Sequence, residues 1–357
     1  MNNSSFLKNY KNLKVLITGS TGFKGAWLSF WLNKLGANVV GIGLKPEKNF
    51  ILHEKLKLKN KITQYILNIE NYKNLNQIVK KEKPDVIFHL AAQSIVSESY
   101  TNPLQTINSN VIGSANILET VKNNNINALV YITSDKCYLN LGSKKSFKEN
   151  DKLGGLDNYS ASKASAEILF HSYFNSFFKN NKKISAATAR AGNVIGGGDF
   201  KNNRIVPDFF RAISENKTML LRNPNATRPW QHVLEPLSGY LKLGSLLLDK
   251  KINLNTYPSW NFGPNKINCK KVGEVVALFC SFLSIKKKIK ILKKNTNISE
   301  ANFLSLNIEK AKKELDWYPR LTLKQCVRFT AEWYQNFYLK KDLEDFSHKQ
   351  IESFIKY

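Results

Sequence analysis

A tyrosine and a lysine four residues apart, Tyr159 and Lys163, form the first pair of side chains in this sequence that could carry out chemistry. On a helix, residues at this spacing lie on one face, so the ammonium can approach the phenol. An unperturbed phenol has a pKa near ~10, and a neighbouring cation lowers that pKa towards working pH. The pair therefore predicts a general base, although the same spacing occurs by chance in many helices.

A second group of reactive side chains, Ser134, Asp135 and Lys136, directly follows an apolar run at residues 128–133 that predicts a buried strand. In parallel α/β sheets, ligands bind outside the carboxyl ends of the strands. We therefore predict that this group and the tyrosine–lysine pair form one catalytic site. The alternative is that Asp135 and Lys136 form only an ion pair at the end of the strand.

Three glycines, Gly19, Gly22 and Gly25, lie between the first predicted strand and the first predicted helix. Such glycines allow a tight turn and a close approach of the backbone to a pyrophosphate, which the free N–H groups of the helix N-terminus bind. The turn therefore predicts a dinucleotide cofactor. The end of the second predicted strand lacks the acid expected for the adenosine ribose, and Lys45 could instead contact a 2′-phosphate. These residues leave NAD and NADP both open.

The elements that must position these groups follow from the pattern of apolar residues. Strands are predicted at residues 13–18, 38–42, 62–67, 85–90, 128–133 and 184–190, and helices at 21–36, 104–121 and 159–178. This alternation predicts an α/β fold with a doubly wound parallel Rossmann sheet and a smaller α/β substrate-binding lobe. The expected NAD(P)-binding domain is 1–192, with returning segments near 229–262, and residues 193–357 mainly form the second lobe.

The glycine turn, the strand-end serine and the YxxxK pair, in this order and spacing, resemble the extended branch of the short-chain dehydrogenase/reductase family. Within that branch, the Asp135–Lys136 pair resembles the CDP-glucose 4,6-dehydratases, because the dTDP-glucose enzymes commonly have Asp-Glu there. Residues 22–25, 190–199, 204–208, 228–239 and 260–264 are similar to blocks of that subfamily, and the resemblance covers nearly the whole chain. Departures from the pattern are Asn68, Asn158 and Phe200, which replace an aspartate, a proline and a tryptophan.

This resemblance implies a lyase of deoxysugar and lipopolysaccharide biosynthesis that converts CDP-glucose to CDP-4-dehydro-6-deoxyglucose and water, with NAD recycled internally. It implies that Tyr159 removes the proton of the sugar O4 and that Asp135 protonates the departing C6 hydroxyl. Lys136 is the expected base at C5, which requires it to be partly neutral. As an alternative, a charged Lys136 stabilises an enolate.

The resemblance also implies binding residues and an assembly. For the cofactor these are Gly19, Thr21, Gly22, Phe23, Lys24, Gly25, Asn68, Ile69, Leu90, Ala91 and Ala92, together with Tyr159 and Lys163. For the substrate they are Gln93, Asn193, Arg204, Arg228, His232 and Asn261. His232 could equally be a core residue, and Gly196–Gly198 could be a second anion cradle or a flexible loop. The helices at 104–121 and 159–178 are expected to pair in a homodimer.

Composition limits the other possibilities. The chain has 357 residues, 42% of them hydrophobic, which suffices for a packed core. Its net charge of +27 is spread along the chain among many asparagines, so we expect no nucleic-acid partner. We predict a cytoplasmic protein without a membrane segment, because no apolar run approaches eighteen residues. The four cysteines lack metal-ligand spacing, and no metal site is predicted.

Two alternatives to this interpretation stay open. One is a dehydratase or epimerase for a dTDP-, GDP- or UDP-linked sugar, although an epimerase does not need the Asp135–Lys136 pair. The other is a non-catalytic dinucleotide-binding regulator. Such a protein often lacks the tyrosine or the lysine, whereas this chain has both.

Overall fold

The strands of the fold form one large sheet and three small ones. The computed structural model describes residues 5–46, 51–142, 145–221, 223–254, 257–285, 289–291 and 303–357. Its strands are β1 (Lys14–Thr18), β2 (Asn38–Gly43), β3 (Thr63–Ile66), β4 (Val86–His89), β5 (Ala128–Ile132), β6 (Ser185–Ala191), β7 (Val194–Ile195), β8 (Met219–Leu221), β9 (Thr227–Pro229), β10 (Gln231–His232), β11 (Ser259–Phe262), β12 (Cys269–Lys271) and β13 (Ile289–Ile291).

The large sheet has seven strands in the order β11-β6-β5-β4-β1-β2-β3, all parallel. This confirms the predicted doubly wound α/β fold, including the return of residues 260–262 to the sheet edge beside β6. Three two-stranded sheets lie outside it: β7 with β10, β9 with β12, and β8 with β13. The order reverses between β1 and β4, and ligands bind at such a reversal.

Helices cover both faces of the large sheet. They are α1 (Phe23–Lys34), α2 (Leu52–Lys55), α3 (Tyr72–Glu82), α4 (Val96–Thr101), α5 (Pro103–Ile107), α6 (Gly113–Lys122), α7 (Asn158–Tyr173), α8 (Ile205–Ser214), α9 (Leu234–Leu248), α10 (Val272–Phe282), α11 (Glu309–Leu315), α12 (Leu323–Tyr338) and α13 (Leu343–Lys356). None of them, in the part of the chain that the structure describes, combines the length and apolar character that crossing a membrane requires.

The core is divided by the sheet, because successive side chains of a strand point to opposite faces. In β1, Val15 and Ile17 pack with residues of α1 and α9 on one face. Leu16 packs on the other face with residues of α3, α6 and α7. Every residue of β5 and β6 is buried, as expected for parallel strands covered on both faces.

Both long helices of the prediction contain a turn of π-helix. The helix expected at 104–121 consists of α5, a π turn at Asn108–Ile112, and α6. The helix expected at 159–178 is α7 followed by a π turn at Phe174–Phe178. A π turn inserts one extra residue and thereby changes which side chains face inward, often near functional sites.

The three consecutive glycines after β7 do not form an open loop, because other elements pack closely against them. A Cβ atom on Gly197 would lie 1.9 Å from the Trp333 ring, and one on Gly198 would lie 2.4 Å from Leu52. The Gly197 carbonyl also accepts a 2.9 Å hydrogen bond from the Trp27 indole. These glycines are therefore required because helices α1, α2 and α12 pack directly against the backbone.

Candidate active site

A cavity of about 670 Å³ opens at the carboxyl ends of the central strands. The sheet edge supplies one wall, and residues after β7, from α8 and from β9 supply the opposite wall. Most of the predicted site residues line it: Gly19, Thr21, Gly22, Phe23, Lys24, Gly25, Asn68, Ile69, Leu90, Ala91, Ala92, Ser134, Asp135, Lys136, Tyr159, Lys163, Asn193, Arg204 and Arg228.

The glycine turn joins β1 to α1 and needs glycine for two separate reasons. Gly19 has φ of +75°, and a Cβ there would lie 2.8 Å from the Ala91 nitrogen. A Cβ on Gly25 would lie 2.0 Å from the Gly19 carbonyl oxygen, so the helix could not approach the turn. A Cβ on Gly22 would meet only that oxygen, at 3.3 Å, and would otherwise fill the open space above the turn. This open space at a helix N-terminus fits a pyrophosphate.

The far end of the cavity lies beside β2. The Thr21 hydroxyl donates a 3.0 Å hydrogen bond to the Leu44 carbonyl and so ties the glycine turn to the end of that strand. Lys45 and the exposed Asn68 line this end. The Asn68 side-chain oxygen accepts from the Glu70 N–H at 3.1 Å, which orients the amide at the surface.

Tyr159 and Lys163 stand one turn apart on α7. The helix begins at Asn158 because the preceding Asp157 side chain accepts the Ser160 N–H at 2.9 Å. The Lys163 ammonium lies 6.0 Å from the centre of the Tyr159 ring, and both residues are buried.

Burial dominates the titration of this pair. It raises the pKa of Tyr159 to about 12, although the Ser134 hydroxyl favours the phenolate. It also lowers the pKa of Lys163 to about 8. In this structure the net shift of the Tyr159 pKa is upward, because desolvation outweighs the contacts that favour the phenolate. The expected lowering of that pKa by Lys163 and a bound nicotinamide stays a prediction.

Ser134 organises the turn that follows β5. Residues Asp135–Cys137 form a short 3₁₀ turn, and the Ser134 hydroxyl oxygen accepts the Lys136 N–H at 3.3 Å. The same hydroxyl donates to Oδ1 of Asp135 at 3.0 Å. This turn presents Asp135 and Lys136 to the cavity side by side.

The Asp135 carboxyl has the properties of a proton donor. It is buried, and its Oδ2 has no hydrogen-bond partner among the residues that the structure describes. Burial raises its pKa, against the opposing effect of Lys136 and the Ser134 hydroxyl. A Cβ on Gly192 would lie 2.8 Å from this oxygen, so a larger residue there would displace the carboxyl.

Lys24 adds a cationic group to the same part of the cavity. Burial lowers its pKa to about 8, while the Asp135 carboxylate raises it. Arg204, at the start of α8, donates to Asp199 at 2.8 Å and to the Ser94 hydroxyl at 2.9 Å, and so bridges the two walls. The Arg228 side chain lines the opposite wall from β9 and donates to the Thr227 carbonyl at 3.1 Å.

Three of the residues predicted to bind substrate do not line the cavity. His232 is fully buried and packs edge-to-face on Phe329, and burial lowers its pKa to about 3, so it is a core residue. Asn261 is also fully buried, and its amide donates to the Phe147 carbonyl at 3.0 Å. The Gln93 side chain turns back to the Ile95 carbonyl at 3.0 Å.

Sequence reasoning missed Asn110, which lies in the first π turn. Its buried amide donates to the Gln93 carbonyl at 3.0 Å and to the Ser162 hydroxyl at 2.9 Å, and its oxygen accepts the Gln93 N–H at 2.8 Å. It thereby joins the chain after β4 to helix α7 beside Lys163. An asparagine inside an apolar helical pattern was the available signal, since buried amides need such partners.

Comparison with known proteins identifies the class to which this fold and site belong. The family model described as GDP-mannose 4,6 dehydratase matches residues 16–330, and the chain belongs to this family. The chain is 37% identical over 354 residues to the CDP-glucose 4,6-dehydratase of Salmonella typhimurium, with 98% of each chain covered.

Solved structures show the same fold at lower sequence identity. An epimerase of Methanothermobacter thermautotrophicus superimposes with a TM-score of 0.80 at 23% identity, covering 94% of this chain and 96% of that one. A dTDP-glucose 4,6-dehydratase of Bacillus anthracis in complex with NAD superimposes with a TM-score of 0.76 at 24% identity, covering 91% and 97%.

Proposed function

We propose that this protein is a CDP-glucose 4,6-dehydratase, a hydro-lyase that produces CDP-4-dehydro-6-deoxyglucose and water. The observation that carries the proposal is the turn after β5, where a buried carboxyl with a free oxygen stands next to Lys136 in the cavity of Tyr159. The relative from Salmonella typhimurium, which matches over nearly the whole chain, supports the same reaction and substrate.

The cofactor is NAD, held by the glycine turn and the cavity wall from β2 to β4. The open space over Gly22 fits its pyrophosphate, and Lys45 and Asn68 lie where the adenosine would bind. When bound there, NAD would supply the hydride-transfer chemistry that the reaction needs between C4 and C6 of the hexose. The dTDP-glucose dehydratase structure with NAD supports this assignment.

Tyr159 performs the first proton transfer. As a phenolate it removes the proton of the sugar O4. Lys163 keeps a positive charge within 6.0 Å of the ring and Ser134 offers a hydroxyl, so both stabilise the phenolate as it forms. Oxidation at C4 then acidifies the hydrogen at C5.

Asp135 and Lys136 perform the elimination of water. Asp135, with its raised pKa, donates a proton to the departing C6 hydroxyl. Lys136, the next residue in the 3₁₀ turn, removes the C5 proton. Placing acid and base on adjacent residues keeps both near C5 and C6 of one hexose.

The second half of the chain supplies the wall that holds the diphosphate. We propose that residues 1–192, with returning segments near 229–262, bind NAD, and that residues 193–357 mainly bind the sugar nucleotide. Arg204 and Arg228 would hold the phosphate oxygens, because guanidinium groups bind them in a fork, and Asn193 lines the same cavity. The net charge of +27 favours association with such an anion.

A panel of nucleotide sugars tests the specificity. The purified protein is incubated with NAD and, separately, with CDP-, dTDP-, UDP- and GDP-linked substrates, and products are analysed by mass spectrometry. We expect loss of one water from CDP-glucose alone. Turnover of a different nucleotide sugar would overturn the specificity, and a change of configuration without loss of mass would indicate an epimerase. No turnover of any substrate, despite bound NAD, would indicate a non-catalytic protein.

We further propose a homodimer formed through helices α5, α6 and α7. Several large apolar side chains are exposed on α5, on α7 and on the two π turns that continue these helices: Leu104, Ile107, Ile112, Ile168 and Phe177. Leu104 is 73% exposed and Ile168 is 56% exposed. Burial of such a side chain contributes roughly 1.5–3 kcal/mol. We also propose a cytoplasmic location, since all four cysteines are free thiols, as is usual in reducing compartments.

Charged substitutions test the dimer. Ile168→Glu and Leu104→Glu are expected to shift the protein from dimer to monomer in sedimentation velocity, because each would bury a carboxylate at the interface. Leu339→Glu is the matched control, since Leu339 is 67% exposed at the end of α12, away from these helices in sequence. A wild-type protein that sediments as a monomer would contradict the proposal.

A further inference from the structure

A second cluster of charged side chains lies behind the cavity, and the chemistry described above uses none of its members. Glu167 of α7 and Arg190 of β6 form an ion pair with 2.7 Å between Oε2 and Nη2, and both side chains are completely buried. Neither side chain lines the cavity. Burying two charges has a large desolvation cost, so a buried ion pair is weak evidence of a stabilising role. We therefore looked for a functional role of this pair.

Glu167 connects the helix of the tyrosine–lysine pair to the segment between β5 and the 3₁₀ turn. It follows Lys163 by one turn of α7. Its Oε1 accepts a hydrogen bond from the hydroxyl of Thr133, the residue before Ser134. Its Oε2 accepts from the Thr188 hydroxyl of β6 at 3.1 Å. One carboxylate thus fixes α7 against the residue that follows β5 and against the middle of the neighbouring strand β6.

Arg190 holds the other side of the same turn. Its Nη1 donates to the Tyr138 hydroxyl and to the Glu149 carbonyl, each at 2.8 Å. Tyr138 is the first residue after the 3₁₀ turn Asp135–Cys137, and its hydroxyl donates to Asn261 of β11 at 2.7 Å. The turn is therefore held at its start through Thr133 and at its end through Tyr138.

We propose that Glu167 and Arg190 are positioning residues that set the distance between the acid–base turn, Asp135–Lys136, and the tyrosine–lysine pair on α7. This inference rests on the proposed function, in which the two groups act in succession on one hexose. C4 oxidation depends on the pair on α7 and on the Ser134 hydroxyl at the start of the turn, whereas loss of water also needs Asp135 and Lys136 to be correctly placed relative to that pair. A displacement of the turn therefore impairs the second step more than the first.

The charges of the cluster reach the catalytic groups as well. Burial lowers the pKa of Lys163, and the Cys137 and Glu167 side chains oppose that effect. The Arg190 guanidinium holds the pKa of Glu167 well below its ordinary value despite burial, so the carboxylate stays ionised. The pair is consequently a fixed, charged support for α7 and the turn.

The test compares two rate constants in a single turnover of CDP-glucose with NAD. C4 oxidation is followed by the absorbance of reduced nicotinamide, and loss of water by rapid quenching and mass spectrometry. We expect Glu167→Gln to lower the ratio of water loss to C4 oxidation about tenfold or more, because small misplacements of catalytic groups have large effects on rate. A purely structural pair would only reduce the amount of folded enzyme and leave the ratio unchanged.

Two variants keep the proposal testable where Glu167→Gln folds poorly. Thr133→Val removes the hydrogen bond to Glu167 at the start of the turn, and Tyr138→Phe removes the two hydrogen bonds of the Tyr138 hydroxyl at its end. Both variants keep the ion pair, and each is expected to lower the same ratio. Thr120→Val is the matched control, because the buried Thr120 hydroxyl has no hydrogen-bond partner in the described part of the chain. Its ratio should equal that of the wild type.

A double variant separates position from charge burial. Glu167→Gln combined with Arg190→Met leaves no unpaired buried charge, so it is expected to regain thermal stability relative to Glu167→Gln while the ratio stays low. A wild-type ratio in the double variant, or in both Thr133→Val and Tyr138→Phe, would overturn the positioning role. Failure of the wild-type protein to oxidise C4 would instead overturn the proposed function itself.

Discussion

Replacing Tyr159 with phenylalanine is expected to lower kcat with CDP-glucose by about 10²- to 10⁴-fold, the usual contribution of a general base. The variant removes only the hydroxyl, and the ring stays packed in its buried position beside Lys163. Burial raises the pKa of this phenol to about 12, so the site favours an uncharged ring. The phenylalanine ring should therefore fit there, and the unfolding midpoint should change little. Steady-state product formation measures kcat, and thermal unfolding measures the midpoint.

Tyr173→Phe is the matched control for this prediction. Tyr173 lies on the same helix, and its hydroxyl contacts Glu119 at 3.0 Å, outside the cavity. Its kcat should equal that of the wild type. A Tyr159→Phe variant with wild-type kcat would show that the Tyr159 hydroxyl takes no part in the reaction.

Replacing Lys136 with methionine is expected to separate the two halves of the reaction. Tyr159 and Lys163 remain intact, so addition of CDP-glucose should still produce the transient absorbance of reduced nicotinamide. Without the amine, exchange of the C5 hydrogen with solvent deuterium and loss of water should both fall by about 10²-fold or more. Mass spectrometry in deuterated buffer measures the exchange.

The matched control for this variant is Lys148→Met, since Lys148 is exposed in the loop beyond the 3₁₀ turn and lies outside the cavity lining. It should exchange and eliminate like the wild type. Normal C5 exchange in Lys136→Met would assign the base to another group. Lys136 would then act by electrostatic stabilisation of an enolate.

The parallel sheet could be predicted from sequence because its strands are buried on both faces. Residues 128–133 were expected to form a strand, and β5 occupies Ala128–Ile132 with every residue buried. Continuous apolar runs of this kind do not depend on distant partners for their recognition. The π turns could not be predicted, because the helical pattern at 104–121 continues across Asn108–Ile112 without an interruption in sequence.

The residues that line the sheet-edge wall of the cavity could also be predicted, because short motifs lie at predicted strand ends and helix starts. The hydrogen-bond partners of the buried polar residues could not be predicted. Asn261 and its partner Phe147 are 114 positions apart, so nothing near Asn261 indicates that its amide is already engaged. The need for glycine at Gly197 likewise comes from packing against Trp333, which is distant from it in sequence.

In the proposed reaction, hydrogen moves within one sugar from C4 to C6 as water is lost. The most direct measurement uses CDP-glucose that carries deuterium at C4, incubated with the protein and NAD, with the product analysed by mass spectrometry and NMR. We expect a 4-keto-6-deoxy product that has lost one water and carries the deuterium at C6. A product of unchanged mass with inverted configuration at C4, or a 4-keto-6-deoxy product whose added C6 hydrogen comes from solvent rather than from C4, would contradict this transfer.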